Sequence, residues 1–258
     1  MCGIVGYIGS KQAQGILLDG LARLEYRGYD SAGIAVMQDG AIHLSKAKGR
    51  LKNLMDRVAD APLTGCIGIG HTRWATHGEP SDINAHPHTD MKSGIAIVHN
   101  GIIENHDELR HMLQAKGCVF VSQTDTEVIA HLLSTLYDGD MVTTLFKAQG
   151  MLEGSYALGV LCADHADTLY CMRKDSPLVV GLADGEQYIA SDIPALIAHT
   201  RDVELLDDKE IVVLTGDTAK VYDPYGVERA LKPIHVDWDV EAAEKGGYAH
   251  FMLKEIHE

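Results

Sequence analysis

Short apolar segments separated by only a few residues are the feature that most limits what this chain can fold into. In the second half of the sequence they follow one another closely, as at Tyr156–Cys162 and Leu169–Met172, with the turn-sized gap Ala163–Thr168 between them. Strands joined by short turns pair antiparallel, because parallel pairing needs a crossover of a dozen or more residues. The pattern therefore favours an α+β fold over a doubly wound parallel sheet.

Apolar periodicity places the other elements. The predicted helices are Gln14–Leu24, Leu51–Ala59, Asp107–Ala115, Thr126–Leu136 and Val142–Gln149. The further predicted strands are Ile4–Ile8, Gly33–Met37, Ile67–Gly70, Ile95–Val98, Leu178–Leu182, Tyr188–Ala190 and Ile211–Leu214. Helices concentrated before closely spaced strands agree with the α+β class.

Charge and cysteine usage narrow the function classes. The 258 residues carry 22 Lys+Arg and 37 Asp+Glu, a net charge of −15. Nucleic-acid binding is therefore not expected, since it relies on basic side chains that neutralise phosphates. No uncharged apolar run approaches the ~20 residues of a membrane span, and the N-terminus lacks a signal-peptide pattern. The 5 cysteines include no C-x-x-C pair, which fits a reducing compartment. The sequence predicts a cytoplasmic protein without nucleic-acid or membrane partners.

Cys2 is the first candidate for chemistry. If Met1 is removed, one residue carries both a thiol and a free α-amino group, whose unperturbed pKa values are about 8.5 and ~7.7–8.0. The amine can then relay the proton of the thiol near neutral pH. The apolar run Gly3–Ile8 is predicted to hold this end in a strand, whereas most chain termini are loose. A small residue at a disposable end is the plainer alternative.

The segment Gly70–Pro80 leaves a predicted strand and enters a polar, turn-rich loop, where functional residues tend to lie. Arg73 offers a rigid, two-pronged donor for a carboxylate. Trp74 is placed to cover a small ligand. Taken singly, an ion pair for Arg73 and a core position for Trp74 are the simpler interpretations.

Asn100 and Gly101 directly follow the predicted strand Ile95–Val98. Asn-Gly is the strongest two-residue hairpin signal. The same turn can also expose the side-chain amide of Asn100 beside the N–H of Gly101, which gives two donors for an oxyanion. Removing one such donor typically costs ~10²–10³ in rate. The pattern leaves both interpretations open.

Thr124, Asp125 and Glu127 stand at the start of a predicted helix. Thr124 with Glu127 fits a capping box, and Asp125 complements the helix dipole. A structural cap is the default interpretation. A carboxylate at this position is also suited to a ligand ammonium group, and the two roles are compatible.

Five histidines, His71, His77, His86, His88 and His99, cluster in one part of the sequence. His86 and His88 lack the i, i+4 spacing of a helical metal site, and no Cys or carboxylate set follows a metal pattern. The glycine-rich phosphate-binding motifs are missing as well. We therefore expect neither a bound metal nor a cofactor.

Several segments occur together in one order: Met1–Gly6, Arg27–Gly33, His71–Pro80, Asn84–His88, His99–Asn105 and Thr124–Ile129. In their amino-acid sequence and in their order they resemble the motifs of the class II, or N-terminal nucleophile, glutamine amidotransferases. The resemblance implies a four-layer αββα sandwich of two antiparallel sheets.

The resemblance also implies a role for each candidate residue. Cys2 attacks the side-chain amide of glutamine and forms a thioester, while Asn100 and Gly101 form the oxyanion hole. Arg73 holds the α-carboxylate of the substrate and Asp125 its α-ammonium group. The rest of the implied substrate-binding set is Trp74, which gates the departing ammonia, with Thr76, His77 and His86; Arg27 and Asp30 support the site. Losing one partner of a buried charge pair costs about 2–5 kcal/mol, which would exclude amides without the amino-acid head.

The sequences of Leu24–Gly33 and Thr72–Gly78 are similar to the corresponding segments of one member of that family, an enzyme that forms an amino sugar phosphate. The likeness implies two sugar isomerase domains after the glutaminase and a homodimer in the full-length enzyme. We predict a glutaminase domain at residues 2–218 and a C-terminal extension at 219–258 leading toward those domains. The extension includes charged, helix-prone segments at Asp239–Lys245 and Ala249–Glu258.

Other functions stay open at this point. One is a non-catalytic module that binds glutamine and regulates another activity. A second is a glutaminase like that of the phosphoribosyl-transferring members of the same family. A third, suggested by the histidines alone, is a metal-dependent hydrolase.

Overall fold

Two antiparallel sheets, stacked face to face, form the centre of the computed structural model. It describes residues 2–92 and 94–237. Met1 and the predicted helical segments Asp239–Lys245 and Ala249–Glu258 lie outside the described residues. Within the described part, no helix has the length and apolar character needed to cross a bilayer.

The helices are α1 (Ala13–Leu24), α2 (Leu51–Asp60), α3 (His106–Ala115), α4 (Glu127–Leu136) and α5 (Met141–Gln149). The strands of the first half are β1 (Gly3–Ile8), β2 (Ser31–Gln38), β3 (Ala41–Lys48), β4 (Ile67–Arg73), β5 (His88–Thr89) and β6 (Ile95–Ile103). Those of the second half are β7 (Gly154–Cys162), β8 (Leu169–Lys174), β9 (Val179–Ala183), β10 (Glu186–Ala190), β11 (Asp202–Leu205), β12 (Ile211–Leu214), β13 (Ala219–Tyr222), β14 (Glu228–Arg229) and β15 (Ile234–His235).

The strands of the described residues form one 8-stranded sheet, in the order β15-β11-β9-β10-β1-β4-β2-β3, and one 7-stranded sheet, in the order β14-β13-β12-β8-β7-β6-β5. Neighbouring strands pair antiparallel, as in the long ladders β1–β4 and β6–β7. This confirms the predicted α+β sandwich of two antiparallel sheets.

The alternation of side chains along β1 separates the layers. Val5 and Tyr7 face α1 and α2, whereas Ile4 and Ile8 lie in a core cluster between the two sheets. Helices α3, α4 and α5 cover the outer face of the second sheet in a third cluster. Because successive strand residues point to opposite faces, both faces of each sheet are buried and the order of layers is helix, sheet, sheet, helix.

The same alternation positions the candidate site. On β4, Ile69 faces the second sheet, so His71 and Arg73, two and four residues further on, point the same way. On β6, Val98 faces the first sheet, and Asn100 follows on that face. The ends of β4 and β6 therefore bring polar side chains together between the sheets.

Several strands escaped the sequence analysis, among them β3, β11 and β13. Strand β3 is a sheet edge in which exposed and half-buried residues interrupt the buried positions, so its apolar signal is weak. Strand β13 pairs with β12 and β15 with β11. Residues 219–237 thus add strands to the two sheets, and the division at residue 218 stays a prediction.

Candidate active site

A cavity of about 370 Å³ opens between the two sheets, at the end where β1 begins and β4 ends. This volume is in the range of small-molecule sites. The candidate catalytic and substrate-binding residues from the sequence line it: Cys2, Arg73, Trp74, Thr76, His77, His86, Asn100, Gly101 and Asp125. The fold thus collects residues separated by more than a hundred positions into a single cavity.

Cys2 lies directly before β1 and against the first residue of the loop that follows β4. The Trp74 N–H donates to Cys2 Sγ at 3.2 Å, and Sγ lies 3.5 Å from the Trp74 carbonyl oxygen. Burial raises the pKa of the Cys2 thiol, and the hydrogen bond from Trp74 offsets part of that shift. At neutral pH the thiol is therefore mostly protonated, and a nearby base is needed to make it a nucleophile.

Asn100 reaches from the second sheet to the start of the first. Its Nδ2 donates to the Cys2 carbonyl oxygen at 3.1 Å, and its Oδ1 lies 3.0 Å from His71 Nε2. Nδ2 carries two N–H groups, and the bond to Cys2 uses one of them. The second is available to a group in the cavity.

Gly101 adopts a φ of +126°, in the region that favours glycine. A Cβ at this position would lie 2.1 Å from the carbonyl oxygen of Ser155 on β7. Both observations require glycine, and the unusual backbone follows Asn100 at the wall of the cavity. Asn100 and Gly101 both pair with β7 inside strand β6. The Asn-Gly pair therefore lies within a continuous strand and not at a two-residue hairpin.

Arg73 is buried, at 3% exposure, at the end of β4. Its Nη2 donates to the carbonyl oxygens of His77 and, at 2.9 Å, Gly78. Its Nη1 lies 3.9 Å from Asp30 Oδ1, and it has no hydrogen-bond partner among the described residues. One side of the guanidinium thus orders the loop, and the other is left without a hydrogen bond from the described residues.

Asp125 lies just before α4 and is 4% exposed. Its Oδ2 accepts from the Ile103 N–H at 2.9 Å, and its Oδ1 is 3.9 Å from His77 Nδ1. Half of the predicted capping box is formed, because Thr124 Oγ1 accepts from the Glu127 N–H at 3.3 Å. The Glu127 carboxylate accepts instead from the Val121 and Ser122 N–H groups. Asp125 lines the cavity.

Trp74 covers the cavity from the solvent side. It is 48% exposed and packs edge to face on Tyr29, with ring centroids 5.4 Å apart. Thr76 and His77 follow in the same loop. Because both rings are about half exposed, Trp74 is not a core residue, which was the simpler interpretation from the sequence.

His86 stacks on His71, with ring centroids 4.1 Å apart and the ring planes at 20°. Its Nδ1 accepts from the His99 N–H at 3.3 Å. Burial, reinforced by the neighbouring histidines, lowers the pKa of His86 well below its ordinary value. His86 is therefore a neutral ring that lines the cavity while bonding to β6.

Two serines of the cavity wall, Ser176 and Ser191, stand in no segment that the sequence singled out. Ser191, which follows β10, accepts the Ile4 N–H at 3.0 Å, and Arg27 pairs with Asp192 at 2.6 Å. Ser176 also lines the cavity. The register of β1 with β10 brings Ser191 to the site, so no local pattern could have revealed it. Arg27, by contrast, is the supporting residue that the family resemblance implied.

The clustered histidines do not converge as a ligand set. Within the described ranges, no group of three or more His, Cys, Asp or Glu side chains is arranged to hold a metal ion. His71 and His86 stack with each other, and His99 Nδ1 lies 2.9 Å from Thr126 Oγ1.

Comparisons with solved structures define the class of fold. The glutamine phosphoribosylpyrophosphate amidotransferase from B. subtilis superposes with a TM-score of 0.76 over 86% of this chain and 49% of that chain, at 24% identity. A glutamine aminotransferase class-II domain protein from Silicibacter pomeroyi gives a TM-score of 0.57 over 86% of this chain and 99% of its own length, at 15% identity. The chain has the N-terminal nucleophile hydrolase fold.

Sequence comparisons define the family. A family model described as a glutamine amidotransferase domain matches residues 71–198. Proteins named glutamine–fructose-6-phosphate aminotransferase (isomerizing) match along 100% of this chain, at 56% identity in Clostridium tetani and 57% in Caldanaerobacter subterraneus subsp. tengcongensis. The chain spans 42% of the length of these relatives. Residues 71–198 thus belong to a class II glutamine amidotransferase domain.

Proposed function

We propose that this chain hydrolyses the side-chain amide of L-glutamine with Cys2 as the nucleophile. The observation that carries the proposal is the position of Cys2 Sγ, which accepts a hydrogen bond from the Trp74 N–H at 3.2 Å. Asn100, Arg73 and Asp125 line the same cavity. A thiol, an amide donor and two opposite charges in one small cavity fit an amide of an amino acid.

The reaction begins with the Cys2 thiol. After removal of Met1, the α-amino group of Cys2 takes the thiol proton as Sγ bonds to the amide carbon of glutamine. The tetrahedral intermediate collapses, the C–N bond breaks, and the amine returns a proton to the leaving ammonia. Water then cleaves the thioester, and glutamate leaves. Because burial raises the pKa of the Cys2 thiol, the thiol needs a proton acceptor, and the α-amino group of the same residue can serve as that base.

Asn100 and Gly101 stabilise the oxyanion in this scheme. The second N–H of Asn100 Nδ2 and the backbone N–H of Gly101 are two donors at the wall of the cavity. Donors fixed in advance stabilise developing charge without reorganisation, and each is worth ~10²–10³ in rate.

Arg73 and Asp125 recognise the amino-acid head. Nη1 of Arg73 lacks a hydrogen-bond partner among the described residues and suits the α-carboxylate. Asp125, buried at 4% exposure, suits the α-ammonium group. Thr76, His77 and His86 complete the walls, and Trp74 covers the site and gates the departing ammonia.

In a longer polypeptide the ammonia would serve a second reaction. The relatives at 56–57% identity are named glutamine–fructose-6-phosphate aminotransferases. We propose that the chain is the glutaminase part of such an enzyme, which passes ammonia to sugar isomerase domains for glucosamine 6-phosphate synthesis. Homodimerisation of the full-length enzyme and a cytoplasmic location are further parts of this proposal.

Glutamate release by this chain tests the proposal. Cys2→Ala should lower the rate by roughly a thousandfold or more, because it removes the atom that forms the covalent bond. Cys66→Ala is the matched control, since Cys66 is half-buried and its thiol bonds to the Ser10 carbonyl instead. Substantial activity in folded Cys2→Ala protein would refute the proposed nucleophile. Glutamine binding without turnover in the wild type would favour a regulatory module.

The state of the N-terminus gives a second test. Mass spectrometry of active protein should show Met1 removed, because an attached Met1 would convert the proposed base into an amide. Full activity in a chain that retains Met1 would contradict the role of the α-amino group.

A further inference from the structure

His71 and His86 form a stacked pair behind Asn100. His71 is fully buried, and its Nε2 lies 3.0 Å from both the His99 carbonyl oxygen and Asn100 Oδ1. His86 Nδ1 accepts from the His99 N–H at 3.3 Å. The two rings thus bond to both backbone groups of His99 and to the side chain of Asn100.

These contacts fix the tautomer of His71 and the orientation of the Asn100 amide. A carbonyl oxygen only accepts, so His71 Nε2 carries the proton that it shares with His99. A donor at Nε2 selects Oδ1 of Asn100. At the other end, Nδ2 faces the Cys2 carbonyl oxygen at 3.1 Å, which also only accepts. Both ends of the amide are therefore determined.

The surroundings keep His71 neutral. Burial lowers the pKa of the imidazole to about 3, and the nearby His99 and Arg73 oppose a second positive charge. Its Nδ1 has no hydrogen-bond partner among the described residues, so a proton there would be unsolvated. The ring therefore acts as a fixed neutral donor over the physiological pH range.

We propose that His71 is a positioning residue for the oxyanion hole. Its Nε2–H, supported by the stacked ring of His86, holds the Asn100 amide with Nδ2 toward the reacting carbonyl. The inference rests on the proposed function and adds a residue that lies behind the cavity wall. It also gives His86 a supporting role in addition to lining the cavity.

A double-mutant cycle tests this role. His71→Phe keeps a ring to stack on His86 but removes the donor, and it should lower kcat about 10- to 100-fold with KM within about twofold. In an Asn100→Ala background the same change should cost less than about twofold, because residues that act through one another are not additive. His71→Gln, which restores an N–H, should recover part of the loss.

His199→Phe is the matched control. This histidine stacks on Tyr188, with centroids 5.4 Å apart and planes at 14°, and does not line the cavity. Its kcat should equal that of the wild type. Equal losses from His71→Phe in both backgrounds, or a rise in KM alone, would overturn the positioning role.

Nitrogen-15 NMR of histidine-labelled protein provides a readout that does not depend on turnover. It should show His71 as the neutral Nε2–H tautomer at pH 6. An Nδ1–H tautomer or an imidazolium at that pH would overturn the inference, even if His71→Phe were inactive because it failed to fold. Absence of glutamate release by the wild type would instead contradict the proposed function, and the NMR result would still decide the state of His71.

Discussion

Two groups of residues around the cavity are built in opposite ways. The neutral group, Cys2, His71, His86 and Asn100, is held by hydrogen bonds and stacking, and burial keeps the thiol and the imidazoles uncharged. The charged group, Asp30, Arg73 and Asp125, is held by backbone carbonyls and N–H groups of the adjoining segments.

The difference between the groups matches the work proposed for each. Free glutamine arrives with two permanent charges, and fixed opposite charges can recognise them. The reacting amide is neutral and becomes an oxyanion only in the transition state, so oriented dipoles stabilise it without binding the ground state more tightly. The neutral group should therefore affect kcat and the charged group KM.

The largest expected effect is on the neutral group. Asn100→Ala should lower kcat about 10²- to 10³-fold and leave KM nearly unchanged, because it removes an oxyanion donor. Asn53→Ala is a suitable control, since Asn53 caps the Lys48 carbonyl on the surface at 2.9 Å. A rise in KM with kcat unchanged would contradict the assignment of Asn100 to the group that affects kcat.

Arg73→Lys tests the charged group. Lysine keeps the charge but lacks the rigid fork, so KM for glutamine should rise about 10- to 100-fold with a smaller change in kcat. The penalty should largely disappear for an amide analogue that lacks the α-carboxylate. Arg57→Lys, at a half-exposed ion pair with Asp82, should leave KM unchanged. An equal penalty for both amides would exclude Arg73 from carboxylate binding.

Acid stability tests whether burial keeps the neutral group uncharged. The pKa of His71 is lowered to about 3 in the folded state, against an unperturbed value of about 6.5. The unfolded chain binds the extra proton between these values, so stability falls as pH drops through that window. At pH 5 the loss from His71 is about 2 kcal/mol relative to pH 7. In denaturant unfolding, the stability of His71→Phe should fall between pH 7 and pH 5 by about 2 kcal/mol less than that of the wild type. A slope equal to the wild type would contradict a neutral, buried His71.

The smallest effect links the two groups. The Asp30 carboxylate is among the groups that raise the pKa of the Cys2 thiol, after burial itself. Asp30→Asn should therefore shift the pH midpoint of Cys2 alkylation by iodoacetamide downward. An upward shift would show that Asp30 acts on Cys2 through structure and not through charge.

Local sequence patterns predicted much of the fold and of the site. Strands β1 and β6 are buried apolar runs, and Cys2, Arg73 and Asn100 stand in recognisable segments beside such strands. The edge strand β3 was missed because it is only partly buried and its apolar pattern is interrupted. The bond between His71 and Asn100 was also missed, because it crosses from one sheet to the other. Such contacts depend on how the sheets stack, and no short pattern encodes that.

The most direct measurement of the central claim is covalent labelling of this chain by an electrophilic glutamine analogue, followed by peptide mass spectrometry. The account predicts one adduct per chain on Cys2, slowed by excess glutamine, with the Cys66, Cys118, Cys162 and Cys171 thiols unmodified. Glutamine-protected labelling at another residue, or no labelling of Cys2 in protein that releases glutamate, would contradict it.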